Sequence, residues 1–354
     1  MNKKIIALFS GCGGLDLGFK KAGFDVPWAN EYDKNIWETY EKNHLDTVLD
    51  RRSIRDIPSI EIPDCVGIVG GPPCQSWSEA GTQLGIEDDR GKLFLEYVRI
   101  LQDKQPLFFL AENVSGMLHK KHQPALNNII AGFEEAGYIV SFQLLNAVNY
   151  NVPQDRKRVI FIGYRADLQR KFDFNLLKKS EKKLTLRNTI QDLNDLALPG
   201  KETNKTNGGS CMIPNHEYMI GGFSSMYMSR NRVRAWDEAS FTIQAGGRHA
   251  PIHPQSNKMI KVDKDERIFD PKSPHPYRRL SVRECARIQT FPDDFIFHYR
   301  DIADGYKMIG NAVAVNFSYA LAQVIMKDLC CQKQQSESQA SPDTKIDQLS
   351  LVLS

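Results

Sequence analysis

A cysteine directly after two prolines sits in an unusual place. In Gly71-Pro72-Pro73-Cys74-Gln75-Ser76 the prolines fix two φ angles and remove two amide donors. The thiol of Cys74 is therefore expected on a stiffened loop, not in a core, where most free cysteines reside. An ionised thiol on such a loop is a nucleophile. The other cysteines, Cys12, Cys65, Cys211, Cys285, Cys330 and Cys331, are scattered and form no Cys-X-X-Cys pair. That argues against a disulfide framework and against structural zinc, so no metal site is expected. Two further groups could join the thiol. Glu112 closes the apolar run 107–111, and an ionisable residue at the end of a buried strand is costly unless used or paired. Gln154-Asp155-Arg156-Lys157-Arg158 precedes the apolar run 159–164; taken alone it reads equally well as a solvated basic turn.

A second constellation lies at the amino terminus. Residues 4–10 read as a buried strand running into Phe9-Ser10-Gly11-Cys12-Gly13-Gly14-Leu15-Asp16. Glycines let a backbone turn sharply and approach a ligand at a helix N-terminus. Glu31 follows about 20 residues on, where an acid can hold ribose hydroxyls. The dinucleotide fingerprint needs a third glycine at position 16, where Asp16 stands. An adenosine-type cofactor other than NAD fits better, although a tight strand–helix turn without a ligand would look the same.

Elements must hold these residues in place. Apolar runs at 26–30, 65–70 and 107–111 read as strands, helical patterns cover 15–22 and 128–136, and 139–145 with 159–164 form a closing strand pair. Strands alternating with helices predict an α/β fold with a doubly wound, mostly parallel sheet. The nucleophile loop then lies just past a strand's carboxyl end, the ligand edge of such a sheet. Periodicity fades from about residue 170 to 277, where Gly, Pro, Asn and Ser are frequent. A stretch this long without clear elements is usually functional, and 170–277 is read as a second, smaller domain. Helical patterning returns at 281–289 and 313–327, so 1–169 and 278–330 form the larger domain. The polar tail 331–354 is expected to be disordered.

Composition adds limits. With 41% hydrophobic and 25% charged residues the chain resembles an average soluble protein. Its longest apolar runs are too short for a membrane span, and the start is too short for a signal peptide, so a cytoplasmic protein is expected. A net charge of +3 permits a nucleic-acid partner without demanding one.

Taken together, the blocks identify a family. Phe9–Leu15, Gly-Pro-Pro-Cys74-Gln-Ser, Glu112-Asn-Val, Gln154-Asp-Arg-Lys-Arg, Arg279-Leu-Ser-Val-Arg-Glu-Cys-Ala-Arg-Ile-Gln-Thr-Phe-Pro and Gly310-Asn-Ala-Val, in this order over residues 3–330, resemble the DNA (cytosine-5)-methyltransferase family. Stretches such as Lys205-Thr-Asn-Gly, Pro214-Asn-His-Glu-Tyr and Met228-Ser-Arg-Asn-Arg-Val-Arg are similar to its HaeIII-type branch, which modifies GGCC. The resemblance implies the fold of S-adenosylmethionine-dependent methyltransferases and transfer of a methyl group to carbon 5 of a flipped-out cytosine. It makes Cys74 the nucleophile, Glu112 the group that contacts the ring, and Arg156 and Arg158 the arginine motif, with Arg158 holding the base. It places S-adenosylmethionine against Phe9, Ser10, Gly11, Cys12, Gly13, Gly14, Leu15, Glu31, Tyr32, Ser53, Ile54, Gly71, Pro73, Asn311, Ala312 and Val313. Ser76 and Arg90 bound a loop that closes over DNA. Three positions depart from the family pattern: Ser53 stands where an aspartate holds the adenine, Val66 replaces an aspartate before the nucleophile strand, and Ala314 replaces a proline.

The local charge lies in Tyr227-Met-Ser-Arg230-Asn-Arg232-Val-Arg234-Ala-Trp236 and Gly246-Gly-Arg248-His249. Arginines read guanine bidentately in the major groove, and four guanines are available in GGCC; arginines that touch only phosphates would set register instead. The resemblance implies a monomer acting on double-stranded DNA, with room for a cognate restriction endonuclease acting on the same site. RNA cytosine methylation and a non-catalytic DNA-binding relic are the competing readings. The long segment 170–277 argues against the first, and intact Cys74, Glu112, Arg156 and Arg158 argue against the second.

Overall fold

The computed structural model describes residues 2–73, 89–193 and 196–339; the side chains at 89–92 and 331–339 are not described. Strands β1 (Lys4–Leu8), β2 (Asp25–Asn30), β3 (Val48–Asp50), β4 (Gly67–Gly70), β5 (Phe108–Val114), β6 (Tyr138–Asn146) and β7 (Lys157–Arg165) form one sheet in the order β3-β2-β1-β4-β5-β7-β6. The first five pair in parallel; β7 pairs antiparallel with both β5 and β6. This is the expected doubly wound, mostly parallel sheet, and its central strands read as unbroken apolar runs because both faces are covered. One core covers one face, with Ile5, Ala7, Phe108 and Ile160; the other core holds Ile6, Leu8, Phe109 and Phe161.

Helix α1 (Gly14–Lys21) follows β1, α2 (Trp37–Asn43) follows β2, α3 (Asp89–Lys104) precedes β5, and α4 (Gln123–Glu135) precedes β6. Short elements fill the next stretch: α5 (Leu186–Ile190), β8 (Leu198–Pro199), β9 (Glu217–Tyr218), α6 (Ser225–Met228), β10 (Ile260–Asp263) and β11 (Glu266–Ile268). Three helices close the described chain: α7 (Val282–Ile288), α8 (Ile302–Asn311) and α9 (Val315–Gln339). Helix α7 starts with a capping box, in which Glu284 N–H donates to Ser281 Oγ at 3.0 Å and Ser281 N–H donates to Glu284 Oε2 at 2.7 Å. Helix α9 returns to α1, where Ser318 Oγ donates to Leu15 O at 2.6 Å. The apolar stretch Ile302–Cys330 is long enough to cross a membrane, but it is broken between α8 and α9 and mostly buried in the fold, which accounts for its hydropathy.

Two expectations change. Packing does not divide the chain at residue 170: Phe172 and Leu177 belong to the first sheet core, and Leu186, Ile190, Leu193 and Ile243 share a third core with α7, α8 and Cys12. A separate small cluster, Tyr227, Val233, Ile252 and Met259, lies within 170–277. At the carboxyl end, α9 continues through 331–339 instead of ending at the polar tail. Gln, Lys and Glu there are adequate helix formers, and the first breaker is Pro342. Residues 340–354 lie outside the described residues.

Candidate active site

The strand order reverses between β1 and β4, and ligands of open α/β sheets bind beyond the strand ends at such a point. A cavity of about 430 Å³ opens there. Into it the fold brings Phe9, Ser10, Gly11 and Leu15 after β1, Glu31 and Tyr32 after β2, Ser53 and Ile54 after β3, and Gly71 and Pro73 after β4. Asn311, Ala312 and Val313 reach the same wall from the far end of the sequence. Phe9 has a positive φ of 54°, a conformation costly for a bulky residue and commonest at functional sites.

Cys12, Gly13 and Gly14, expected to touch the cofactor, do not line the cavity. Cys12 is fully buried in the third core, its thiol 3.5 Å from Met308 O; burial pushes that thiol up, so it stays protonated. Gly13 shapes the turn: its φ is 84°, and a Cβ there would lie 2.0 Å from His44 Nε2. Gly14 packs so closely that a Cβ would lie 2.4 Å from Val313 O. In this structure Gly13 and Gly14 let the turn pack closely against His44 and Val313.

Glu31 is held from both sides. Gly11 N–H donates to its Oε2 at 2.9 Å and Asp33 N–H donates to its Oε1 at 2.7 Å. Burial raises its pKa despite these bonds. A carboxylate fixed in this way, with lone pairs left over, suits a ribose diol, and Ile36, Ile54 and Leu93 supply apolar wall for an adenine. The residues present therefore fit an adenosine-type cofactor. Ser53, at the departure from the family pattern, lines the cavity and also caps a short helical turn, accepting from Arg55 N–H at 3.4 Å.

Glu112 and Arg158 are brought together by register. Val114 of β5 pairs with Arg158 of β7, so Glu112, two residues earlier on the same face, is its diagonal neighbour. Arg158 Nε lies 2.6 Å from Glu112 Oε1, both side chains nearly buried. The other carboxylate oxygen lies toward the Gly71–Pro73 loop, since a Cβ on Gly71 would lie 3.4 Å from Glu112 Oε2. Asn113 Nδ2 donates to Pro72 O at 3.2 Å and ties that loop to β5. Cys74 and Ser76 lie outside the described residues; Pro73, the covalent neighbour of Cys74, lines the cavity. Arg90 belongs to α3, and its side chain is likewise not described.

Arg156 corrects an expectation. It precedes β7, is fully buried and is not among the residues that line the cavity. Its guanidinium donates to Ile243 O at 3.0 Å, Gly310 O at 2.8 Å and Ala312 O at 2.9 Å. With three carbonyls engaged it is a structural tie, not a group for substrate. Gln154 and Gln289 complete the tie: Gln154 Nε2 donates to Gln289 Oε1 at 3.0 Å, and Gln289 Nε2 donates to Ala312 O at 3.1 Å. Arg156→Ala would take this donor from Ile243 O and Gly310 O, and leave Ala312 O with Gln289 alone. It is expected to lower stability by about 1–3 kcal/mol for each buried acceptor left unsatisfied, as measured by urea denaturation. A loss under about 1 kcal/mol, typical of an exposed contact, would contradict the role.

The arginines of 227–248 separate into two kinds. Arg232 donates to Tyr227 O at 2.8 Å and lies 4.6 Å over the Tyr227 ring, while Arg234 sits 4.1 Å over Phe241 and 3.3 Å from Glu238 Oε1. Arg230 and Arg248 are exposed. Composition could not have separated them, because the difference is one of side-chain direction. Sequence reasoning also missed Asp16, Asp33, Asn113 and Met308 in the cavity wall. Of these, Asp16 breaks the dinucleotide fingerprint and Asn113 lies in the Glu112-Asn-Val block, so both carried a signal.

The family model for C-5 cytosine-specific DNA methylases matches residues 3–327. The chain is 58% identical to the Type II methyltransferase M.MthTI of Methanothermobacter thermautotrophicus, over 93% of this chain and 98% of that one. It is 55% identical to M.FnuDI of Fusobacterium nucleatum, over 92% and 95%. In fold it is similar to the Entamoeba histolytica methyltransferase EhMeth, with a TM-score of 0.66 and 18% identity over 93% of this chain and 99% of that one. A sheet whose strand ends open a cavity beside a paired Glu112, within a chain matched almost end to end, leaves one assignment: this protein belongs to the C-5 cytosine-specific DNA methylase family of Type II methyltransferases, with S-adenosylmethionine as methyl donor.

Proposed function

We propose that the chain methylates the inner cytosine of GGCC in double-stranded DNA, flipped out of the helix and held through a covalent adduct with Cys74. One observation carries the reading: the Asn113–Pro72 bond and the close approach of Gly71 to Glu112 join the nucleophile loop to the catalytic acid at the cavity mouth. Carbon 5 of cytosine is a weak nucleophile. Addition of the Cys74 thiolate to carbon 6 turns the ring into an enamine whose carbon 5 can attack. Glu112 contacts the ring nitrogen and the exocyclic amine as charge develops there, and Arg158 keeps Glu112 oriented and reaches the base. S-adenosylmethionine supplies the electrophilic methyl group. Loss of the carbon-5 proton to a base then expels the thiolate and restores the aromatic ring. The target atom is unreachable in a stacked duplex, so the base must leave it.

Exposed Arg230 and Arg248 are the base readers in this account, while Arg232 and Arg234 stiffen the segment. Arg248→Ala is expected to cost about 1–3 kcal/mol of discrimination at one position of the site. The enzyme acts as a monomer in the cytoplasm, beside a restriction endonuclease of the same target. Bisulfite sequencing of a plasmid from cells expressing the protein tests the target. Modification confined to GGCC is expected; modified cytosines in another sequence would overturn the target while leaving the enzyme class.

A further inference from the structure

The seven-stranded sheet ends differently on its two sides. Strand β3 closes one side with three residues, and so short an edge leaves little to pair with. Strand β6 closes the other with nine, Tyr138–Asn146, in unbroken register with β7. Its sequence, Tyr-Ile-Val-Ser-Phe-Gln-Leu-Leu-Asn, has no charged residue, no proline and no glycine. Alternate N–H and C=O groups of β6 point away from β7, and among the described residues no backbone hydrogen bond meets them. Val140 packs against the second core, but Phe142 and Leu144, next along the same face, are each 41% exposed. A long, uncharged edge without a bulge is a template for a further strand.

A segment with a matching pattern lies in the sequence outside the described residues. Leu349, Leu351 and Leu353 alternate with Ser350, Val352 and Ser354, the period of a strand. The family match ends at residue 327, so this segment is the chain's own. Helix α9 leads toward the right place. Its Leu321, Ile325 and Leu329 lie in the first core, and Asp328 Oδ2 accepts from the Tyr164 hydroxyl at 2.8 Å. Tyr164 is the register partner of Ile139, so α9 leaves the core beside the start of β6. From Leu329 to Gln339 the helix runs on for roughly 15 Å. Gln339 and Leu349 are ten residues apart, enough for about 33 Å of extended chain, and Pro342 cannot continue a helix. The leucines can therefore return to β6.

We propose that residues 349–353 add to the free edge of β6 in the same chain as an eighth strand, with Leu349, Leu351 and Leu353 covering the face of Val140, Phe142 and Leu144. The added strand takes up the outward backbone groups of β6 and removes an edge that would otherwise pair with another chain. A tethered segment competes at an effective concentration of roughly millimolar, which favours it over a second copy of the chain. The seam is separate from the chemistry, because no residue of β6 is among those lining the cofactor cavity.

Amide hydrogen exchange followed by NMR, on the full chain and two full-length variants, tests the seam. In the parent, the alternate amides of 138–146 that face away from β7 are expected to exchange slowly, like those that face it. Leu351→Asp places a charge in the leucine face and should speed exchange of the outward set by at least about tenfold, leaving the amides of β7 unchanged. Leu351→Val, apolar and suited to a strand, should keep the protection. Fast exchange of the outward set in the parent, or equal exchange in the parent and Leu351→Asp, overturns the proposal. Loss of protection spread through β7 as well would assign Leu351 to general stability and overturns it too. Slow exchange that fades on dilution, with a dimer mass by light scattering, would give the edge to a second copy and overturn the same-chain strand.

Discussion

Cys74→Ser is expected to lower methyl transfer by at least about 10⁴-fold, the scale of removing a catalytic nucleophile, while leaving S-adenosylmethionine binding unchanged. The hydroxyl of serine is far less acidic than a thiol and is no nucleophile toward carbon 6 without a base beside it. Cofactor binding should survive because the cavity is built by the turn after β1, Glu31 and residues 311–313, none of which depends on the thiol. Radiolabelled methyl transfer to duplex DNA measures the loss, and calorimetry checks the binding. The same change at Cys12 or Cys285, both fully buried, should act on stability and not selectively on turnover. If Cys74→Ser retained a tenth of the parent rate, the nucleophile would have to be sought elsewhere.

Glu112→Gln is expected to lower turnover by about 10²–10⁴-fold, the usual worth of positioned acid catalysis. Glutamine keeps the shape and can still accept a hydrogen bond, but it has no proton to give and no charge to balance Arg158. The guanidinium 2.6 Å away would be left nearly buried without its counter-ion, so a loss of stability should accompany the loss of rate. Two readouts separate the effects. Single-turnover rate at saturating DNA should fall by the full factor, whereas affinity for S-adenosylmethionine should stay within about twofold, well under the tenfold of a lost charged contact. A variant that merely unfolds would lose both together, and such a result would assign Glu112 to structure alone.

Much of this site was legible before any coordinates. The turn after β1, the proline-stiffened loop after β4 and the carboxylate at the end of β5 are signalled locally, by glycine, proline and an acid at the end of an apolar run. Residue types at strand ends survive folding as residues at the ligand edge. What could not be read is direction. Arg156 and Arg158 look alike in sequence, yet one lies before β7 with its guanidinium closed on three carbonyls and the other lies in β7 against Glu112. Arg230 and Arg232 are likewise two residues apart, one exposed and one folded onto Tyr227. The domain boundary was illegible for a related reason. Apolar residues such as Ile190 and Ile243 are too sparse to show periodicity, yet they complete a core whose other half, in α7 and α8, lies far along the chain. Helices α2 and α3 and strand β3 were missed; α2 and β3 are short, while α3 (Asp89–Lys104) carries many charged residues.

The most direct test of the central claim is to trap the enzyme on its substrate. A duplex carrying 5-fluorocytosine at the inner position of GGCC cannot release the adduct, because fluorine replaces the proton that must leave carbon 5. A mixed-sequence duplex substituted with 5-fluorocytosine throughout serves as control against an error in the target alone. With S-adenosylmethionine present, intact-mass measurement followed by peptide mapping is expected to find one strand attached to the peptide containing Cys74. Attachment at another cysteine, or active methyl transfer with no adduct on either duplex, would contradict the account.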